Sequence, residues 1–222
     1  MERNYERNGL PFEMAAFDLD GTLMRFDAGI SDDTRVALNS LRERGVKVVL
    51  ATGRRYEGAK EHAERLGFAP EDPLVCYGGS MIRSISGETT RRSVMTVEDG
   101  IEVLEWTEEH DLHARILVDG GIVASPNTPA VFSTMTNFIE DGLMVVESPL
   151  AWLEENREEP IRVNVVDVPG EIEAWLGDAE DAFSNRLFIT RSLPHYVEFG
   201  SLGGNKSAAL NTLCERWNID PS

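Results

Sequence analysis

The chain has 222 residues, with 21 Lys and Arg against 39 Asp and Glu, and a formal net charge of −18. With 41% hydrophobic residues it has enough apolar material for one large or two small cores, which excludes a disordered chain. So acidic a protein repels nucleic acid and an anionic leaflet alike, so neither is an expected partner, and a phosphate-bearing ligand requires a local positive site.

In chain order, Met14–Phe17 is a short apolar run ending in DLDGT, the form of a buried strand feeding a loop. Ser31 offers an N-cap, Asp32 and Asp33 a first turn, and Val36, Leu38 and Leu41 an apolar face that closes at Arg44 and Gly45. Val46–Leu50 is a second β-branched run. Tyr56, Ala59, Ala63 and Leu66 recur at helical spacing, and Leu74–Tyr77 is a third strand stopped by Gly78 and Gly79. Strands alternating with helices on short connections predict an α/β fold with a parallel sheet covered on both faces.

After Gly79 the texture changes. A polar hairpin is expected over 80–95 around Gly87, a helix after Thr96, and a hairpin about Asp119–Gly121. Helices capped by Thr128 and by Ser148 follow, then a strand over 162–168, a helix over 171–183, and strands over 186–191 and 195–199. This stretch reads as an inserted α+β module. Its expected bounds are 81–194, leaving 1–80 and 195–222 as two parts of one core. A final helix carries Ala209, Leu210, Leu213 and Trp217.

The chemistry concentrates after the first strand. Two carboxylates separated by one apolar residue place Asp18 and Asp20 on one side of the chain, beyond the carboxyl edge of a parallel sheet, where ligands of such sheets bind. Gly21 permits a tight turn whose backbone N–H groups form an anion cradle, while the carboxylates suit a hard cation such as Mg²⁺. Paired acids beside a metal also suit covalent phosphoryl transfer, one attacking and the other carrying the leaving-group proton. The plainer alternatives are a solvated acidic turn or a calcium loop, and Leu23–Phe26 offers none of the further oxygen ligands of the latter. At the end of the second strand, Thr52 supplies a hydroxyl, Gly53 leaves room for close approach, and Arg54 adds charge. Lys206, one of only three lysines with Lys47 and Lys60, opens the last helix, whose N-terminus favours an anion.

The DLDGTL segment at 18–23, with the stretch from Ile30 and Ser31 to ATGR at 51–54, resembles the haloacid dehalogenase-like phosphatases, and more closely their Cof-type sugar-phosphatase branch. The resemblance implies a Rossmann-like parallel-sheet core with an inserted α/β cap that closes over the site. It implies that Asp18 is the nucleophile and Asp20 the general acid/base, with Mg²⁺ bound by Asp18 and the backbone carbonyl of Asp20. Thr52 and Lys206 would bind phosphate, with Arg54 and Arg55 as contributors. The substrate would be a small phosphorylated metabolite, plausibly a sugar phosphate. Cap-borne Arg83, Arg91, Arg92, His113 and Arg115 are polar groups able to reach it, although solvated surface is the plainer role for each. His110 and His195 read as structural or exposed.

Two departures stand out. Gly78–Gly79 replaces the Asn-Gly of that branch, and no Gly-Asp-x-x-Asn-Asp segment follows the last helix. The second departure implies missing C-terminal core strands, a first strand at the sheet edge, a metal held by few carboxylates, and a truncated or fragmentary enzyme with weak or no activity. A catalytically impaired phosphate-binding module and a phosphomutase are the rival functions. Cys76 and Cys214 lie in no metal-type spacing and suggest neither disulfides nor zinc. With no apolar run near ~20 residues and no leader-like segment at 1–13, a cytoplasmic location without a membrane anchor is expected.

Overall fold

The computed structural model describes residues 10–25, 29–126 and 142–221. The chain divides into two compact units, one of Met1–Arg92 with Gly204–Ser222 and one of Ser93–Gly203.

The first unit is built on three parallel strands, β1 (Met14–Phe17), β2 (Lys47–Ala51) and β3 (Pro73–Cys76). Val48 to Ala51 and Leu74 to Cys76 are all buried, as strands covered on both faces must be. Helix α1 (Asp32–Glu43) packs on β2, and α2 (Tyr56–Arg65) packs on β3. The first is capped by Ser31, whose hydroxyl accepts from the Thr34 N–H at 3.1 Å. Leu38 is buried as expected, whereas Val36 is 67% exposed, because the buried stripe of α1 runs through Leu38 rather than Val36. In α2 the expected stripe of Tyr56, Ala59 and Ala63, continued by Leu66, is buried. Chain-terminal α6 (Lys206–Trp217) packs on β3 and, through Ala209 and Leu213, completes a core of Val49, Ala51, Val75 and Ile82.

The hairpin of β4 (Met81–Ser84) and β5 (Thr89–Arg92) adds antiparallel strands to this same sheet, in the order β1-β2-β3-β4-β5. Among the described residues β1 therefore pairs only with β2 and lies at the sheet edge, as expected. The divisions between units fall at 92/93 and 203/204 rather than at the expected 80/81 and 194/195. Pairing of β4 with β3 from Cys76↔Met81 to Pro73↔Ser84 is what holds the hairpin in the first unit.

The second unit is a six-stranded sheet of β6 (His113–Val118), β7 (Gly121–Ala124), β8 (Leu143–Val145), β9 (Arg162–Val166), β10 (Leu187–Leu193) and β11 (Tyr196–Ser201), ordered β10-β11-β9-β6-β7-β8. All its pairings are antiparallel except β7 with β8. Among the described residues three helices accompany it: α3 (Val97–Glu109, capped by Thr96), α4 (Pro149–Asn156, capped by Ser148) and α5 (Pro169–Phe183). Val163, Val165, Val197 and Phe199 alternate with Arg162, Asn164 and Glu198 along their strands, and together with Ile116 pack with Val103, Leu104, Trp175 and Phe183 of the helices. The helix expected after Thr128 lies outside the described residues.

Candidate active site

The turn after β1 is set by its backbone. Leu19 is fully buried, which leaves Asp18 and Asp20, both partly exposed, on the other side of the chain. Gly21 adopts φ 73°, in the left-handed region that glycine enters without Cβ strain. The Gly21 N–H donates to Met24 O (2.9 Å), Thr22 N–H to Leu19 O (3.3 Å), Leu23 N–H to Asp18 O (3.4 Å) and Met24 N–H to Leu19 O (2.8 Å). The expected anion cradle is thus corrected at residues 21–24, whose N–H groups are consumed in closing the turn.

Asp18 meets a cation from the far end of the chain. Lys206 Nζ donates to Asp18 Oδ1 at 2.9 Å, with both side chains 40% exposed. The α6 N-terminus that delivers it is capped by Asn205, whose Oδ1 accepts from the Ala208 N–H at 2.9 Å. This helix start rests against the turn after β3. Gly79 adopts φ 106°, and a Cβ built there would lie 2.1 Å from the Asn205 carbonyl carbon and 2.4 Å from the Lys206 nitrogen. Glycine at 79 therefore lets the lysine-bearing helix approach. Preceding Gly78 is itself left-handed, at φ 63°, a conformation open to either glycine or asparagine.

Asp20 is held differently. Arg54 closes a two-pronged bond on it, Nε to Oδ2 at 3.0 Å and Nη2 to Oδ1 at 2.8 Å, with the arginine side chain 14% exposed. Arg54 was expected to contribute charge to a phosphate; its guanidinium is placed on the second carboxylate. Its backbone N–H donates to Thr52 Oγ1 at 3.1 Å, so one residue ties together the second strand's exit and the second acid. Thr52 is buried, its N–H donates to Val75 O, and its carbonyl accepts from the Gly78 N–H. Among the described residues its hydroxyl hydrogen has no acceptor, leaving a donor for a ligand. Nothing lies within 4 Å of a Cβ built on Gly53. Arg55 precedes α2 and pairs with Glu57 at 3.3 Å.

The residues expected on the inserted module divide. Arg83, Arg91 and Arg92 belong to the β4–β5 hairpin of the first unit; Arg83 donates to Thr89 Oγ1 and lies over the Tyr56 ring, and Arg91 donates to Gly79 O at 2.7 Å. His113 and Arg115 are on β6 of the second unit, where Arg115 and Asn164 both donate to the Tyr196 hydroxyl. His110 stacks on Trp106 at the end of α3, and His195 lies in the turn between β10 and β11. One residue escaped the sequence reading altogether: His62 on α2, 2.9 Å from Arg54 Nη1. Its only signal was its place on the helix that follows ATGR.

A small divalent cation that keeps several waters needs one or two carboxylates besides phosphate oxygens. Asp18 retains an oxygen with no protein partner among the described residues, whereas both carboxylate oxygens of Asp20 are in the Arg54 fork. No group of three or more His, Cys, Asp or Glu able to hold a metal occurs among the described residues. The Asp18 carboxylate thus has an oxygen able to join a largely hydrated Mg²⁺, whereas each Asp20 oxygen, held by Arg54, keeps only its remaining lone pair.

Comparison with known proteins assigns the class. The model of the haloacid dehalogenase-like hydrolases matches residues 15–222, and the chain belongs to that family. It is 26% identical over 214 residues to 5-amino-6-(5-phospho-D-ribitylamino)uracil phosphatase of Bacillus subtilis, covering 95% of this chain and 74% of that protein. It is 27% identical over 225 residues to HMP-PP phosphatase of Escherichia coli, covering 93% and 73%. A solved haloacid dehalogenase-like hydrolase from Bacillus subtilis shares the fold with a TM-score of 0.80 at 19% identity, over 94% of this chain and 80% of that one. No helix among the described residues is long and apolar enough to cross a membrane.

Proposed function

We propose that the chain is a phosphomonoester hydrolase acting through an aspartyl-phosphate on Asp18. The observation that carries the reading is the 2.9 Å contact of Lys206 with Asp18 Oδ1, formed between residues 188 positions apart. A cation so placed neutralises a phosphoryl group arriving at the first carboxylate. Asp18 Oδ2 attacks phosphorus, and the P–O bond to the leaving group breaks. Asp20 relays the proton through the lone pairs that the Arg54 fork leaves open, giving one to the leaving oxygen and taking one from the water that cleaves the acyl-phosphate. Thr52 donates its hydroxyl to a phosphoryl oxygen, and the open space over Gly53 admits that oxygen close to the backbone. Arg54 keeps the Asp20 carboxyl oriented between the two proton transfers. Mg²⁺, when bound at Asp18 and the Asp20 carbonyl, supplies charge neutralisation at the phosphoryl oxygens.

The proposed substrate is a small phosphorylated metabolite. A sugar phosphate is in this class, and so are the kinds of compound in the relatives' names, 5-amino-6-(5-phospho-D-ribitylamino)uracil and HMP-PP. The second unit, Ser93–Gly203, is proposed to select the leaving group. The engagement of both Asp20 carboxylate oxygens by Arg54 favours one alternative, a phosphate-binding protein of low turnover. Release of inorganic phosphate from a panel of phosphorylated metabolites with Mg²⁺ separates the two. Turnover that Asp18→Asn lowers by roughly 10³-fold or more supports the hydrolase. Vanadate binding without turnover supports the binder.

A further inference from the structure

The geometry points to His62 as a positioning residue: a neutral imidazole on α2 that fixes the Arg54 guanidinium so that its other edge holds the Asp20 carboxyl. This deepens the phosphatase reading and rests on it for the catalytic consequence. The guanidinium has only donors, so at 2.9 Å from Arg54 Nη1 the His62 Nε2 must be the acceptor. The ring proton is then on Nδ1, which is buried and has no hydrogen-bond partner among the described residues. A buried donor left unmade opposes folding, and it accompanies the one tautomer that can receive Arg54.

The surroundings favour the neutral ring. Burial is the larger cause and the Arg54 charge the next, together holding His62 below its ordinary value; Arg65 acts in the same direction, and Glu61 and Asp20 oppose it. Arg54 is thereby gripped on two sides, with Nη1 on the imidazole and Nε with Nη2 on the two oxygens of Asp20. An arginine side chain has several rotatable bonds, and anchoring one edge by an acceptor on a helix restricts the other edge to the carboxyl plane. Without His62 the bond to Asp20 remains available, but the Nη1 edge loses its acceptor on α2 and the fork is held less firmly in the carboxyl plane.

The test compares His62→Leu, which has no acceptor, with His62→Gln, whose amide oxygen can replace Nε2. In the folded proteins the Arg54 Nε–H resonance reports the restraint directly, without turnover. It should be sharp and slow to exchange with water in the wild type and in His62→Gln, and broadened or averaged in His62→Leu. With a phosphomonoester that the wild type turns over, His62→Leu should lower kcat by roughly tenfold with KM changed less than about twofold, and His62→Gln should recover most of the loss. An Arg54 signal equally restrained in all three proteins, or equal kcat in all three, overturns the assignment. An undetectable wild-type turnover beside the expected Arg54 signals supports the positioning role and overturns the phosphatase reading.

Discussion

At Gly53 a Cβ would meet no protein atom within 4 Å, and no positive φ demands glycine there. Protein packing therefore leaves room at this strand exit, which the proposed hydrolase would use for the approach of a phosphoryl oxygen to the backbone beside Thr52. Gly53→Ala should change stability by less than about 1 kcal/mol in denaturant titration. In the same protein KM for a phosphomonoester should rise by roughly tenfold. A loss of stability with KM unchanged would return Gly53 to a structural role. The neighbouring residues were legible to different degrees. The places of Thr52 at a strand exit and of Lys206 at a helix start could be read from the sequence, because each stands at the end of an element whose direction the pattern reveals. The hold of Arg54 on Asp20 could not, because a guanidinium has donors for a phosphate or a carboxylate alike and only tertiary distance decides between them. His62 was invisible for the same reason: eight residues beyond Arg54, it meets that side chain only once α2 has turned back past the strand exit.

The junction of α6 with the turn after β3 is where an element's position determines the site. Gly79 and Gly87 both have φ near 100°, but Gly79 presses on the backbone of Asn205 and Lys206 while Gly87 faces open space. Substituting alanine at each separates backbone strain from contact. Gly87→Ala carries the conformational cost alone, about 1 kcal/mol. Gly79→Ala adds displacement of the start of α6 and should cost about 2–4 kcal/mol, read as the shift in denaturant midpoint at constant slope. Equal losses at the two positions would show that the contact with α6 carries no weight. From the sequence, Gly78–Gly79 was a departure that removed a side-chain amide. In the structure Gly79 is what admits the lysine. Such a role was not readable beforehand, since φ and the distance to a segment over 120 residues away are tertiary facts. Helix caps fared better: Ser31, Thr96 and Ser148 each accept the N–H three residues on, because capping is local chemistry. The β4–β5 hairpin was also legible as a hairpin, but its membership of the first sheet was not. Polar alternation is the same whether a hairpin extends a parallel sheet or opens an inserted module, and pairing with β3 decides which.

For the whole molecule, the net charge of −18 sets a long-range field opposed to any phosphorylated substrate, while in the proposed function Lys206 beside Asp18 and the hydroxyl of Thr52 would act only at contact distance. Salt separates the two ranges. The Debye length shrinks from about 30 Å at 0.01 M to about 8 Å at 0.15 M, so screening removes most of the repulsion from distant carboxylates and little of a bond near 3 Å. For most enzymes with anionic substrates and cationic sites, salt lowers kcat/KM by weakening attraction over distance. Here the distant charges repel, and kcat/KM for a small phosphomonoester should rise by roughly two- to fivefold over that range before levelling. The measurement is initial-rate kinetics in NaCl at fixed pH and fixed Mg²⁺, with a neutral viscogen run in parallel so that a diffusional effect is recognised. A fall in kcat/KM would mean that the cations around Asp18 dominate the field beyond the first contact, and that the acidic surface has no part in the substrate's approach.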